Sequence, residues 1–164
     1  MQEHLNDEFV KRAQKEGYRA RAAYKLIEID DKDKLIKPGM TIVDLGSTPG
    51  SWSQVVVQRL KAKASLEISG KIIALDILDM QPIAGVEFIQ GDFREDAVLK
   101  RLEEKWNNKP VDLVIADMAP NISGISDVDQ AGAMYLTELA LEFSQQWLKP
   151  NGNFLVKVFI GSGF

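Results

Sequence analysis

Apolar runs and amphipathic stretches alternate along this chain. Five apolar runs predict strands, at residues 41–46, 70–77, 86–92, 110–120 and 153–159. They are continuous rather than strictly alternating, which is typical of strands buried on both faces of a sheet. Helical patterns at residues 51–63, 94–106 and 127–152 lie between them. The pattern therefore predicts an α/β fold, with a mostly parallel sheet and helices on both faces.

A separate helical segment precedes these strands. Residues 5–16 predict a short helix that Gly17 ends, and residues 19–32 carry an amphipathic stripe of Ala22, Leu26 and Ile29. The Lys-Pro-Gly-Met run at 37–40 breaks the pattern. We therefore divide the chain into an N-terminal basic helical segment, 1–37, and a main domain, 38–164.

Composition narrows the class of protein. The chain has 164 residues, a one-domain length, with 45% hydrophobic and 27% charged residues. No apolar run approaches the roughly 20 residues of a membrane helix, and the polar N-terminus lacks an apolar signal core. With no cysteine and His4 as the single histidine, disulfides are excluded and we expect no metal site. These features predict a cytoplasmic protein with no membrane partner.

Positive charge is concentrated near the N-terminus, although the net charge is −4. Residues 9–25 include six basic residues and one acidic residue, Glu16. Such a cluster forms either a solvated helical face or a patch that contacts the phosphates of RNA. Tyr18 and Tyr24 lie within it and either stack on bases or pack internally. The six basic residues are Lys11, Arg12, Lys15, Arg19, Arg21 and Lys25.

A glycine-containing loop follows the first predicted strand and opens a helix. Nucleotides bind at this position in α/β sheets, and Gly46 and Gly50 allow a tight turn and close approach of a ligand. The spacing is Asp-Leu-Gly-x-x-x-Gly, which differs from the dinucleotide pattern Gly-x-Gly-x-x-Gly. Asp44 would repel a phosphate but would suit the positively charged S-adenosylmethionine. A purely structural glycine loop is the alternative.

Two further acids end the next predicted strands. Asp76 is placed where a carboxylate accepts from both ribose hydroxyls, and Asp92 is placed to accept from an adenine amino group. Each alone could be a helix cap or loop acid, but their joint occurrence beside the loop favours a cofactor site. Trp52 either lines the same cleft or belongs to the core.

The last predicted strands carry the candidate catalytic groups. Asp117 and Pro120 end the fourth strand, and Lys157 lies in the apolar run Asn-Phe-Leu-Val-Lys-Val-Phe. A buried lysine costs several kcal/mol unless it meets a carboxylate or loses its charge, and Asp117 is the natural partner. Such a pair can orient or deprotonate a hydroxyl. Alternatively, Lys157 extends into solvent from a sheet edge.

Five motifs together resemble the FtsJ/RrmJ family of ribosomal RNA 2′-O-methyltransferases. In chain order they are YRARAAYKL, VDLGSTPGSWSQ, QGDF, DMAPNISG and FLVKVFIGSGF, and the resemblance runs from about Phe9 to the end of the chain. It implies a Rossmann-like methyltransferase fold, S-adenosylmethionine as cofactor, and methyl transfer to a ribose 2′-hydroxyl. It also implies an RNA partner, most specifically a uridine of large-subunit ribosomal RNA.

The resemblance assigns roles residue by residue. The family's Lys-Asp-Lys-Glu tetrad places catalytic groups at Lys25, Asp117 and Lys157. Its cofactor positions fall on Gly50, Trp52, Asp76, Asp92 and Asp117, and Gly46 belongs to the same loop. We expect no metal and a monomer.

The chain departs from the family pattern in two places. The loop reads Gly-Ser-Thr-Pro-Gly-Ser where Gly-Ala-Ala-Pro-Gly-Gly is common, and the small side chains should preserve its conformation. Family members continue past Phe164 with a helix and two strands that carry the tetrad glutamate. We therefore expect a sheet without its last two strands, and the activity of this shorter chain stays open. The alternatives are a non-catalytic cofactor- or RNA-binding module and a nucleotide-dependent oxidoreductase.

Overall fold

The computed structural model describes residues 2–61, 67–107, 109–117 and 126–157, with side chains from residue 8 in the first helix and from 134 in the last. Predictions for two segments therefore lie outside the described residues. They are 118–125, which contains Pro120, and 158–164. Residues 62–66 are likewise not described.

Ten elements make up the described chain. They are α1 (Gln2–Glu16), α2 (Ala23–Asp33), β1 (Thr41–Leu45), α3 (Ser51–Leu60), β2 (Lys71–Asp76), β3 (Val86–Gln90), α4 (Asp96–Glu104), β4 (Val111–Ala116), α5 (Ser126–Trp147) and β5 (Leu148–Val156). None of these helices is both long and apolar enough to cross a membrane, as far as the described residues go.

All five strands pair in parallel, in the order β3-β2-β1-β4-β5. The prediction of an α/β fold with a parallel sheet is thus confirmed. Successive strands run outward from β1 through β2 to β3, and the chain then crosses to the other side of β1 to form β4 and β5. The order reverses between β1 and β4, and this switch point is where open α/β sheets bind ligands.

Alternate residues of the central strands face two separate cores. Ile42, Ile72 and Leu113 pack with residues of α2 and α3, while Val43, Ile73 and Val114 pack with residues of α4 and α5. Helices therefore cover both faces of the sheet, which explains why β1, β2 and β4 read as continuous apolar runs.

The two edge strands differ from the prediction of burial on both faces. In β3 only Ile89 is buried, and no described residue of β5 is. An apolar run shows only that a strand has a hydrophobic face. How much of the strand is covered by helices and neighbouring strands depends on its place in the strand order. β5 also starts at Leu148, before the predicted Asn153, and its register with β4 shifts between Val111 and Leu113.

The N-terminal segment is only partly helical. Gly17, at φ +87°, follows the end of α1, as predicted. α2 begins at Ala23 rather than near residue 19, so residues 17–22 form a non-helical connection. Ala23 and Leu26 of α2 are fully buried in the same core as Trp52. The division into segments 1–37 and 38–164 stays a prediction.

Candidate active site

The carboxyl ends of the five strands meet at one edge of the sheet. Leu45 is in register with Leu75 and with Ala116, and Ala116 with Val156. Just beyond the strand ends, the Asp117 N–H donates to the Leu45 carbonyl (3.1 Å) and the Lys157 N–H to the Ala116 carbonyl (2.9 Å). The sheet therefore brings most of the predicted site residues to one edge, namely Gly46, Asp76, Asp92, Asp117 and Lys157.

The glycine loop is fixed by hydrogen bonds to β2. The N–H groups of Gly46 and Ser47 donate to the Leu75 carbonyl, at 2.8 and 3.2 Å. The Thr48 N–H donates to Oδ2 of Asp76 at 2.8 Å. One carboxylate oxygen of Asp76 thus holds the loop, and the Leu78 N–H binds the other at 3.0 Å. These two hydrogen bonds give Asp76, the predicted ribose ligand, a defined position.

Gly50 meets a steric requirement at the start of α3. Its φ of +116° is a backbone conformation that side chains disfavour. A Cβ atom built there would lie 2.7 Å from Cδ1 of Ile83, and 3.2 Å from both Nη1 of Arg19 and Sδ of Met80. Glycine is therefore needed both for the turn and for the close packing behind it.

Asp44 is a buried carboxyl group with unused hydrogen-bonding capacity. It is fully buried, and Ser53 Oγ donates to its Oδ2 at 2.7 Å. Burial raises the pKa of Asp44 to about 7; the Ser53 hydrogen bond opposes the shift, and the negative charges of Asp117 and Asp76 add to it. Its Oδ1 and the buried Ser47 Oγ have no hydrogen-bond partner among the described residues.

Asp92 follows β3 and forms an ion pair with Arg94. Nη2 of Arg94 lies 2.6 Å from Oδ2 of Asp92, and the Arg94 N–H donates to Oδ1 at 3.0 Å. The Arg94 side chain lowers the pKa of Asp92, so the carboxylate stays ionised. Arg94 donates hydrogen bonds to both carboxylate oxygens of Asp92. Each oxygen has further lone-pair capacity, so Asp92 can also accept a hydrogen bond from an amino group.

Trp52 belongs to the core. Its side chain is 3% exposed and packs among the residues of α2, α3 and the sheet. Its Nε1 donates to the Ala22 carbonyl at 2.8 Å. Of the two interpretations of Trp52, this placement favours the core residue, and the aromatic ring ties the N-terminal segment to α3.

Asp117 and Lys157 form an ion pair just beyond the carboxyl ends of β4 and β5. Nζ of Lys157 lies 3.7 Å from Oδ1 of Asp117, with side chains 56% and 29% exposed respectively. Partial burial raises the pKa of Asp117, and the nearby charge of Lys157 opposes that shift. Lys157 is exposed rather than buried, which agrees with the alternative that its side chain extends into solvent, and the expected carboxylate partner is present.

Lys25 is exposed on α2, and its ion pair is with Glu28 at 3.9 Å. Its neighbours in the basic cluster are partly engaged within the protein. Arg12 pairs with Glu16 at 2.9 Å and lies 4.2 Å from the centre of the Tyr24 ring. Tyr18 and Tyr24 pack edge to face with ring centres 5.6 Å apart. For the two tyrosines this geometry favours internal packing over base stacking.

Two residues contribute to the cofactor site although the sequence patterns do not assign either of them to it: Thr48, within the glycine loop, and Arg19, which contacts that loop. The Thr48 backbone holds Asp76, and Arg19 contacts the loop directly through the Pro49 carbonyl at 3.0 Å. In the sequence, Arg19 is one of the six cations of the basic cluster. No local pattern predicts its actual partners, because they lie 30 to 63 residues further along the chain.

No group of three or more acidic or histidine side chains that could hold a metal ion occurs in the part of the chain that the structure describes. The site is thus built from a glycine loop, four carboxyl groups and one lysine. This set can bind a cationic nucleoside and, next to it, orient a hydroxyl group.

Comparisons with known proteins agree with this arrangement. The chain is 77% identical over 164 residues to ribosomal RNA large subunit methyltransferase E of Methylobacillus flagellatus, covering all of this chain and 76% of that protein. It is 62% identical to the protein of the same name from Chromobacterium violaceum, of which it covers 77%.

A solved structure from Plasmodium falciparum, described as a ribosomal RNA methyltransferase, superimposes with a TM-score of 0.77 at 37% identity, over 88% of this chain and 80% of that one. The model of the FtsJ-like methyltransferases matches residues 18–164. The chain therefore belongs to the FtsJ-like methyltransferase family.

Proposed function

We propose that this methyltransferase transfers a methyl group from S-adenosylmethionine to a ribose 2′-hydroxyl of large-subunit ribosomal RNA, at a uridine. The observation that carries the proposal is the Asp117–Lys157 pair beside the glycine loop. A lysine held by a carboxylate at a cofactor cleft suits a hydroxyl acceptor, whereas it offers little to a base nitrogen. The names of the close relatives support the RNA class.

The residues present fit S-adenosylmethionine. Asp44 and Ser47 each have a buried oxygen without a partner among the described residues, and a ligand with a positively charged amino or sulfonium group would use that capacity. Asp76 is preorganised for a ribose, and Asp92 for an amino group. Burial leaves Asp44 partly protonated near pH 7, and a bound cation would favour its ionised form, which disfavours a pyrophosphate at the same place. The residues that would hold the cofactor are therefore Gly46, Gly50, Asp76, Asp92 and Asp117, with Asp44 and Ser47 beside them.

The cofactor supplies an electrophilic methyl group on sulfur, so the protein's task is to position and deprotonate the acceptor. Lys157 would orient the 2′-hydroxyl, and Asp117 would hold the lysine. The 2′-oxygen would take the methyl group from the sulfur of the cofactor, and the hydroxyl proton would pass to solvent, or to Lys157 once its ammonium group has itself lost a proton. Asp117 would also lie near the methyl donor.

RNA would reach this site across the N-terminal segment. Lys25 is exposed, and we assign it to the target ribose or to a neighbouring phosphate. The other exposed cations of residues 9–25 would hold the RNA backbone. A monomeric state and a cytoplasmic location stay predictions from the sequence.

Labelled methyl transfer tests the proposal. The purified protein is incubated with methyl-labelled S-adenosylmethionine and undermethylated large ribosomal subunits, with small subunits as the matched control. We expect label in large-subunit RNA only. Cofactor binding without transfer to either subunit would favour the non-catalytic module.

Calorimetry decides between the cofactor classes. We expect S-adenosylmethionine to bind and NAD not to bind, because Asp44 and the loop spacing disfavour a pyrophosphate. The opposite result would favour the nucleotide-dependent oxidoreductase and overturn the proposal.

A further inference from the structure

Arg19 joins two loops that border the cofactor site. Its Nη1 donates to the carbonyls of Pro49, at 3.0 Å, and Gln81, at 2.6 Å. Its Nη2 donates to the carbonyl of Pro82 at 2.8 Å. Pro49 belongs to the glycine loop, while Gln81 and Pro82 belong to the loop that follows Asp76 and β2. One guanidinium group thus binds both loops at once.

The side chain lies directly behind the glycine loop. Nη1 of Arg19 is one of the three atoms closest to the position of a Cβ on Gly50, together with atoms of Ile83 and Met80. On another side, the loop is held by the Thr48 N–H bond to Asp76. The distance between the loop and Asp76 is therefore set from two sides, by a carboxylate and by Arg19.

Arg19 is itself held in place by α3. Its backbone N–H donates to Oε1 of Gln54 at 2.9 Å, and Nε2 of Gln54 donates to the Gly17 carbonyl at 3.1 Å. Trp52 binds the Ala22 carbonyl at the other end of the same connection. Residues 17–22 are thus fastened to α3 at both ends, so the guanidinium group has a defined position.

The chemistry of these contacts requires arginine. Three N–H donors of a planar guanidinium group reach three main-chain carbonyls on two loops, in a fixed fork that a lysine ammonium cannot reproduce. Those donors are committed within the protein and are not free for a phosphate. Arg19 therefore differs from the exposed cations of the same segment.

We propose that Arg19 is a positioning residue of the cofactor site, which acts by holding the glycine loop and the loop after β2 at the separation that the cofactor needs. The inference rests on the proposed function, because it assumes that S-adenosylmethionine binds between these loops. It removes Arg19 from the set of RNA contacts and assigns it to the methyl donor.

Calorimetry with S-adenosylhomocysteine tests the proposal on the wild-type protein, Arg19→Lys and Arg19→Ala. We expect the Kd to rise about tenfold for the lysine variant and further for the alanine variant, because each loses part or all of the fork. Lys15→Ala, which removes an exposed charge four residues away, is the matched control and should leave this Kd unchanged. If Arg19→Ala does not fold, the lysine variant alone carries the test.

Two further readouts separate positioning from a general structural role and from RNA binding. The KM for S-adenosylmethionine should rise in Arg19→Lys, while the KM for RNA and its salt dependence stay at the wild-type values, because the charge is kept. Thermal unfolding of the unliganded variant should stay close to wild type.

An unchanged Kd for S-adenosylhomocysteine in Arg19→Lys would overturn the inference, as would a rise in the RNA KM alone. If the wild-type protein itself fails to bind S-adenosylhomocysteine, the proposed function fails instead, and the two failures are thus distinguishable.

Discussion

The two sides of the sheet edge are built differently. On the cofactor side, which comprises the glycine loop, Asp44, Asp76 and Asp92, backbone and side-chain hydrogen bonds fix each group, and Asp44 is fully buried. The acceptor side consists of Lys157 and of Asp117, which the proposal also assigns to the cofactor. There, a single 3.7 Å ion pair joins two partly exposed side chains next to β5.

This difference fits the two ligands. A small cofactor must be enclosed and discriminated by fixed groups, because each misplaced donor weakens binding. A large RNA brings its own structure and approaches from solvent, so the groups that meet it need fewer fixed contacts within the protein. We therefore expect changes on the cofactor side to alter affinity and stability, and changes on the acceptor side to alter turnover or RNA binding.

Lys157→Ala should have the largest effect. We expect the methyl-transfer rate to fall by about 100-fold or more, since a positioned acid–base group contributes roughly 10²–10⁴ in rate. The Kd for S-adenosylmethionine should stay within about twofold, because no hydrogen bond of the glycine loop depends on this lysine. Single-turnover transfer and calorimetry measure the two quantities.

Lys149→Ala is the control for this change. Lys149 lies near the start of β5 and pairs with Asp112, at the opposite end of the strand from Lys157. This variant should keep the transfer rate per folded molecule. If Lys157→Ala keeps it as well, Lys157 has no role in the reaction.

The buried Asp44 should make stability depend on pH. Its pKa is about 7 in the folded protein, against about 3.9 in an unfolded chain. Between these values the folded state binds a proton that the unfolded state does not, so this group's contribution is fully present below about pH 4 and is lost as the pH rises through 7. At about 1.4 kcal/mol per pKa unit, the change is on the order of 4 kcal/mol.

Asp44→Asn isolates this contribution. Asparagine cannot ionise and keeps an oxygen for the Ser53 hydroxyl, so the difference in unfolding free energy between variant and wild type should grow from pH 4 to pH 7. Urea unfolding across this range measures it. Parallel pH profiles for the two proteins would show that Asp44 does not titrate as assigned.

Gly50→Ala should weaken the cofactor side by a smaller amount. A side chain at φ +116° strains the backbone, and its Cβ would meet Ile83 at 2.7 Å. We expect a loss of about 1–3 kcal/mol in stability. Because Cδ1 of Ile83 or the loop itself must also move, we expect the Kd for S-adenosylmethionine to rise.

Gly39→Ala provides the matched comparison. Gly39 also has a positive φ, of +92°, but no atom lies within 4 Å of its Cβ position. This variant should carry the backbone strain alone and should bind the cofactor normally. Equal effects of the two substitutions on cofactor affinity would remove the assigned role of close packing at Gly50.

Lys25→Ala should have the smallest effect on the protein itself. Its ion pair with Glu28 is long and exposed, so stability should change by less than about 1 kcal/mol. If Lys25 contacts a phosphate, the slope of log affinity for RNA against log salt should fall by about one. Lys109 lies just before β4, at the amino ends of the strands, and Lys109→Ala should leave this slope unchanged.

The central strands and the loops at their carboxyl ends could be predicted from the sequence, because strands covered on both faces are continuous apolar runs. The exposure of the Lys157 side chain could not be decided in this way. Its apolar neighbours in the run Asn153–Phe159 are compatible with either a central or an edge strand, and strand order is set by pairings between distant segments.

The same limit applies to side chains whose partners are distant. Asp44, Asp76 and Asp117 can be recognised from the sequence because each lies at or next to the end of a strand, a position that periodicity gives directly. The role of Arg19 depends on carbonyls up to 63 residues away, and the placement of the Trp52 ring depends on a carbonyl in the N-terminal segment. Neither contact leaves a local pattern in the sequence.

The position of the transferred methyl group tests the central claim most directly. RNA methylated by the protein with labelled S-adenosylmethionine is hydrolysed with alkali, which requires a free 2′-hydroxyl next to each phosphate that it cleaves. The account predicts that the label remains in alkali-resistant dinucleotides with a uridine at the 5′ position. Label recovered in mononucleotides that carry a methylated base would contradict it.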